Sequence, residues 1–84
     1  MDTTIFQRFN EAFNYLKQSG VIDGQRDLAI KLRISRYSIS MVMKGIERYS
    51  TSAVIERFSF EYDKIINEDW LYDGKGEMLM KNTD

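Results

Sequence analysis

The chain of 84 residues contains no cysteine, no histidine and no proline. Without cysteine it can form neither a disulfide framework nor a thiolate metal site, and without histidine it lacks the most common proton shuttle and transition-metal ligand. The absence of proline fits a bundle of uninterrupted helices. No apolar run approaches the roughly 18 residues of a membrane span, and the N-terminus lacks the basic and apolar regions of a signal peptide. We therefore expect a cytoplasmic protein without metal, cofactor or catalytic residues.

Length and composition predict one folded domain over residues 1–84. Hydrophobic residues make up 43% of the chain and charged residues 30%, which is too apolar for a disordered tail. A chain this short buries enough surface for a single core and cannot divide into two.

The net charge of −1 conceals an uneven distribution of charge along the chain. Residues 25–50 hold six basic and two acidic residues, a net charge of +4, whereas the rest of the chain holds six basic and eleven acidic residues, a net charge of −5. This division predicts one basic surface, which would attract phosphate, on an otherwise acidic body. A chance cluster of solvated lysine and arginine side chains is the alternative.

Helix 1 is predicted over Thr4–Gln18, because hydrophobic residues recur there at the spacing of one helical face. Thr4 and Gln7 match a capping box, and Gly20 is a natural stop. Phe6 lies beside the hydrophobic stripe and is expected in the core rather than at a surface where bases stack. The stripe consists of Ile5, Phe9, Ala12, Phe13 and Leu16.

A short helix 2 is predicted over Gln25–Leu32, with Asp23 or Gly24 as its cap. Ser35 can cap a third helix, and only two residues lie between Leu32 and that cap. A connection this short makes the two helices cross at a steep angle, as in a helix-turn-helix. Helix 2 is expected to bury Leu28, Ala29 and Leu32 and to turn outward Arg26, Lys31 and Arg33.

Helix 3 is predicted over Arg36–Lys44, before Gly45, and its positions sort into two faces at about 100° per residue. The face expected in the core holds Ile39, Val42, Met43 and Ile46. The other face has no acidic residue and holds Arg36, Tyr37, Ser40, Met41 and Lys44. Cations, hydroxyls and a polarizable thioether can contact base edges or phosphates, so this face is the candidate binding surface.

Two more helices are predicted in the C-terminal half. Helix 4 should begin between Ser50 and Ser52, run to about Tyr62 and serve mainly in packing. Asn67 can cap a short helix 5, which the following glycines end. The tail from Met78 onward is expected to fray. The apolar residues of these two helices are Val54, Ile55, Phe58, Tyr62, Trp70 and Leu71.

Residues 25–45 resemble the helix-turn-helix of Cro and lambda-repressor-like regulators, a family in which the second helix of the motif reads the DNA major groove. Residues 66–78 are similar to a segment common in phage-type repressors of that family. Many of those relatives continue into a linker and a further domain. The matching positions are Gln25, which opens helix 2, then Leu28, Ala29, Ser35, Ile39, Ser40 and Gly45.

The sequence departs from the family pattern in the turn and in the loops. Arg33 occupies a position that is usually glycine, because the residue there tends toward a left-handed conformation that costs other residues roughly 1–2 kcal/mol. The prolines that often precede helix 4 and the Ile66-Asn67 pair are missing. The resemblance implies an all-α, five-helix lambda-repressor-like domain in which helices 2 and 3 form the helix-turn-helix.

The function that the resemblance implies is sequence-specific binding of double-stranded DNA by a phage-type transcriptional repressor. Relatives bind as homodimers to half-sites about 34 Å apart. The residues expected to read bases are Arg36, Tyr37, Ser40 and Met41, with Arg36 suited to guanine. The residues expected to hold phosphates are Gln25, Arg26, Lys44, Arg48, Tyr49 and Ser50.

Two questions stay open at the level of sequence. Four apolar residues near the C-terminus can either bury against a second copy of the chain or close the core of one copy: Trp70, Tyr72, Leu79 and Met80. The alternative function is a helical protein-interaction module, antitoxin-like or polymerase-binding, with little or no DNA binding. The acidic overall balance favours that alternative, and a steep salt dependence of DNA binding would argue against it.

Nothing in the sequence favours an enzyme. Residues 73–77 lack both the spacing of a Walker loop and the alternating carboxylates of an EF-hand. Glu68 and Asp69 are consecutive residues of a helix, so they do not face each other and are better placed to complement the helix dipole. The three serines in and before helix 3 have no neighbouring base that could activate them as nucleophiles. These serines are Ser35, Ser38 and Ser40.

Overall fold

The structure is a computed structural model that describes residues 4–46 and 51–80. These residues form five helices, α1 (Ile5–Gln18), α2 (Gln25–Leu32), α3 (Arg36–Met43), α4 (Thr51–Glu61) and α5 (Glu68–Asp73). Within the described residues there is no strand, only one antiparallel bridge between Ile66 and Leu79. The expectation of an all-α, five-helix domain is confirmed for these ranges. None of their helices is long and apolar enough to cross a membrane.

Helix boundaries follow the local capping signals. Thr4 caps α1 and forms the expected capping box with Gln7. The backbone N–H of Gln7 donates to the Thr4 hydroxyl over 3.1 Å. Ser35 caps α3 by accepting from the Ser38 N–H, and Asn67 caps α5 by accepting from the Asp69 N–H. These side chains satisfy backbone donors that have no partner inside their own helix, so the sequence fixes where each helix begins.

One core receives a face of every helix. Phe9 and Phe58 meet at its centre with ring centroids 4.7 Å apart, and Phe58 contacts Tyr62 at 5.3 Å. The expected stripe of α1 is buried except for Ile5, which is half-buried, and Phe6 packs against the core while remaining partly exposed. The buried hydrophobic residues from the other helices are Leu28, Ala29, Leu32, Ile39, Val42, Val54, Ile55, Phe58 and Leu71, and Tyr62 is buried directly after α4.

The segment from Met78 to Met80 differs from the expected frayed tail, because it pairs with the connection between α4 and α5. The Asn67 N–H donates to the Met78 carbonyl over 2.7 Å, and the Met80 N–H donates to the Ile65 carbonyl over 2.9 Å. The connection is extended at this point and leaves backbone groups without helical partners, which the returning chain satisfies. The prediction of fraying from Met78 is therefore wrong for residues 78–80, and residues 81–84 lie outside the described ranges.

Candidate nucleic-acid interface

Helix α3 divides into the two faces that its sequence predicts. Ile39 and Val42 are buried, and Met43 is half-buried and packs against the core. Ile46, which was also expected in the core, lies beyond the end of α3 and is half-buried. On the opposite side Tyr37 is 71% exposed. The other candidate base-reading residues differ in exposure, since Arg36 is exposed whereas Ser40 and Met41 are half-buried.

Both ends of α3 are held by specific hydrogen bonds. At the start, the Ser35 hydroxyl accepts from the Ser38 N–H at 3.1 Å and lies 2.9 Å from the Ser38 hydroxyl. At the end, Nδ2 of Asn10 on α1 donates to the Met43 carbonyl over 2.8 Å and to the Phe6 carbonyl over 3.0 Å. The exposed face is therefore carried on a helix whose rotation and tilt are fixed by the core and by α1.

A shallow groove of about 510 Å³ brings together the start of α2 and the start of α3. Gln25 and Arg26, two expected phosphate-binding residues, line it together with Arg36, an expected base-reading residue. Gly24 is the N-cap of α2 and provides no side-chain hydrogen bond. The first N–H groups of α2 thus keep donor capacity, and the groove lining holds the cations Arg26 and Arg36 together with the carboxylates of Asp23 and Asp27.

Two acidic residues, Asp23 and Asp27, also line this groove, and the carboxylate of Asp27 has partners within the protein. Oδ2 of Asp27 accepts from the Asp23 N–H at 3.0 Å and lies 3.5 Å from Nζ of Lys31. Lys31 also donates to the Val21 carbonyl over 2.8 Å, which ties α2 to the loop before it. Lys31 therefore offsets the charge of Asp27 and holds the loop against α2. Of the remaining charged residues in the groove lining, Arg26 and Arg36 are positive and Asp23 is negative.

The turn between α2 and α3 has the left-handed geometry expected from the resemblance, although its residue is not glycine. Arg33 has φ 58° and ψ 42°, and within the described residues it is the only non-glycine residue with positive φ. The Arg33 N–H bonds to the Ile30 carbonyl and the Ile34 N–H bonds to the Ala29 carbonyl. This is the Schellman pattern that ends a helix sharply and sets the direction of the chain into α3.

Arg57 of α4 contacts the same turn. Its Nη1 donates to the Leu32 carbonyl over 3.1 Å and to the Arg33 carbonyl over 3.0 Å. Neither Arg57 nor Asn10 is a functional candidate from the sequence. Both act over more than 20 positions of the chain, and no local spacing or capping pattern reveals such contacts.

The remaining candidates lie beyond α3. Lys44 is exposed and forms the C-cap of α3, and the turn continues through Gly45 at φ 78°. The predictions for Arg48, Tyr49 and Ser50 lie outside the described residues.

The apolar residues near the C-terminus are divided between the core and the surface. Trp70 is half-buried and packs against the core, whereas Tyr72 and Leu79 are each 37% exposed and Met80 is 48% exposed. Burial and the neighbouring carboxylates of Glu68 and Glu56 raise the pKa of Tyr72, so its phenol stays neutral at physiological pH.

Comparisons with protein-family models, with curated proteins and with solved structures found no match to this chain. Within residues 4–46 and 51–80, no group of three or more carboxylate side chains is gathered in a way that could hold a metal ion.

Proposed function

We propose that the chain is a sequence-specific DNA-binding domain of the lambda-repressor type, in which α2 and α3 form a helix-turn-helix and α3 enters the major groove. The observation that supports the proposal is the groove lined by Arg26 and Arg36, which brings the start of α2 next to the first residue of α3 and its exposed face. An α-helix with its side chains is about 10–12 Å across, which fits the roughly 12 Å width of the major groove, and the eight residues of α3 extend about 12 Å along their axis.

The side chains have distinct parts in this proposal. Arg36 and Tyr37 project furthest into solvent and would meet base edges first, with the Arg36 guanidinium donating to the two acceptors of a guanine. Ser40 and Met41 are half-buried, so they would reach only the bases directly beneath the helix. The first turn of α2, with Gln25 and Arg26, and the exposed Lys44 at the other end of α3 would bind phosphates on either side. Arg48, Tyr49 and Ser50 are assigned to the same phosphates from the sequence.

Selection of bound duplexes from a random pool, followed by titration of the selected duplex at several salt concentrations, tests the proposal. We expect Arg36→Ala to weaken binding to the selected duplex and to relax the preference at one base position, with a loss of about 1–3 kcal/mol. Lys44→Ala should weaken binding to all duplexes alike. Lys64→Ala removes the same charge from an exposed site outside the interface and serves as the control.

Failure to bind any duplex at low salt, or unchanged binding by both Arg36→Ala and Lys44→Ala, would rule the proposal out. Two features would then favour the protein-interaction module as the function. They are the negative net charge of the chain and the side chain of Phe60 on α4, which is 80% exposed. That alternative requires no contribution from the α3 face.

We further propose that the domain acts as a homodimer and as a phage-type transcriptional repressor. Three apolar side chains are exposed in α5 and in the segment after it, and a second copy can cover them: Tyr72, Leu79 and Met80. Two-fold symmetry predicts that the selected duplex contains an inverted repeat with half-sites about 34 Å apart. Sedimentation with and without duplex measures the stoichiometry, and Leu79→Glu should favour the monomer if this surface is the contact.

A further inference from the structure

We infer that Arg57 is a positioning residue for the reading helix, acting through the turn between α2 and α3. The inference rests on the proposed function, since it concerns the orientation of α3 relative to DNA. Arg57 belongs to α4 and is exposed, and its guanidinium contacts two backbone carbonyls of the turn. None of the residues assigned to bases or phosphates takes part in this contact.

The turn at Arg33 is built like two other helix ends in the chain. In each case a residue with positive φ ends the helix, and its N–H, together with the next N–H, closes the Schellman pattern. The corresponding residues are Gly20, which follows the C-cap of α1, and Gly45, which follows the C-cap of α3. Glycine has no Cβ and adopts this conformation without strain, whereas Arg33 carries the cost of the left-handed region. The turn that sets the direction of α3 is therefore the strained one of the three.

Arg57 offsets the conformational cost of the left-handed turn at Arg33. Leu32 is the last residue of α2, and the carbonyl groups of a last helical turn have no partner within the helix and carry partial negative charge. The guanidinium of Arg57 donates to the carbonyls of both Leu32 and Arg33, and charge-assisted hydrogen bonds are about twice as strong as neutral ones. Because α4 packs against both α2 and α3, this contact ties the strained turn to the helix that supports the two others.

The experiment compares binding of a selected duplex with binding of an unrelated duplex of equal length. For Arg57→Ala we expect about a tenfold loss of affinity for the selected duplex, the scale of one charged hydrogen bond. Binding to the unrelated duplex should change much less, because phosphate contacts tolerate a small rotation of α3 and base contacts do not. Arg57→Lys retains the charge without the planar guanidinium and should recover part of the loss.

Rescue by glycine distinguishes positioning from simple support of the fold. In the Arg33→Gly background the turn adopts its left-handed conformation without strain and does not need the hydrogen bonds from Arg57. Adding Arg57→Ala should therefore cost much less affinity there than it does in the parent. Lys64→Ala is the matched control for the lost charge. Equal losses for both duplexes, or the same loss in both backgrounds, would overturn the inference.

Failure of the inference can be told apart from failure of the proposed function. If the parent binds a selected duplex and Arg57→Ala binds it with the same affinity and preference, the inference falls and DNA binding stands. If the parent binds no duplex, the proposed function falls and this inference falls with it. Urea unfolding of the parent, the two single variants Arg57→Ala and Arg33→Gly, and the double variant would then report only whether Arg57 and Arg33 are coupled in stability.

Discussion

Tyr62 is only 5% exposed, and its buried hydroxyl has no hydrogen-bond partner among residues 4–46 and 51–80. Burial, followed by the charges of Glu61 and Asp27, raises its pKa from 10.0 to about 12. The folded state thus favours the neutral phenol. This contribution to stability is present below pH 10 and is lost as the pH rises through about 12.

Replacing this hydroxyl should not destabilise the protein. We expect Tyr62→Phe to leave the free energy of unfolding at pH 7 unchanged or to raise it by up to about 1 kcal/mol, because the orphaned group is removed. The variant should also lose less stability than the parent between pH 10 and pH 12. Urea unfolding across that range measures both effects. Tyr37→Phe, at a site 71% exposed, is the control, and a loss of more than about 1 kcal/mol at pH 7 would mean that the hydroxyl has a partner in solution.

Arg8 is a second residue whose role is structural, since it is 6% exposed and its guanidinium faces the end of α5. Its Nε donates to the Leu71 carbonyl and its Nη2 to the Tyr72 carbonyl, both over 2.9 Å. We expect Arg8→Met to cost about 2–4 kcal/mol in urea unfolding, because two carbonyl groups lose their donor. Lys17→Met removes an exposed cation from the same helix and should change little. Equal stability of the two variants would contradict this account.

At the scale of the helices, the bond from Asn10 to the end of α3 gives another comparison within one element. Asn10→Ala should lower the free energy of unfolding by about 1–2 kcal/mol, since the Met43 and Phe6 carbonyls lose a donor. Asn14 lies one turn further along α1 and is exposed, so Asn14→Ala tests the substitution without the contact. A loss of equal size in both variants would trace the effect to helix propensity instead of the contact with α3.

The boundaries and faces of the helices are the part of the fold that the sequence predicts well. Thr4, Ser35 and Asn67 mark helix starts through short-range hydrogen bonds, and hydrophobic periodicity identifies the buried faces. The left-handed turn at Arg33 follows from the position of the residue in the motif that it resembles. The exposed face of α3 could also be predicted, because it needs only the helical period.

Contacts between distant segments could not be predicted from one sequence. Arg57 and Asn10 resemble ordinary surface residues of amphipathic helices, and their roles depend on how α4 and α1 pack against α3. The pairing of residues 78–80 with the loop before α5 was missed for the same reason. Four polar or flexible residues, 74–77, separate α5 from this segment, and the segment itself has no strand pattern.

At the scale of the whole molecule, charge is separated between one part of the chain and the rest. Residues 25–50 carry a net charge of +4 within a chain whose net charge is −1. An acidic body repels DNA wherever the basic surface does not face it, which disfavours binding in other orientations. Affinity should therefore depend steeply on salt, even though the overall charge is negative.

The salt dependence of binding can be assigned to individual cations. Each phosphate contact contributes about 0.9 to the slope of log K against log salt concentration, so Arg26→Gln should lower the slope by about that amount. Lys64→Gln changes the net charge equally but lies outside the interface, and its slope should equal that of the parent. Equal reductions in the two variants would mean that only the total charge matters, and would remove Arg26 from the interface.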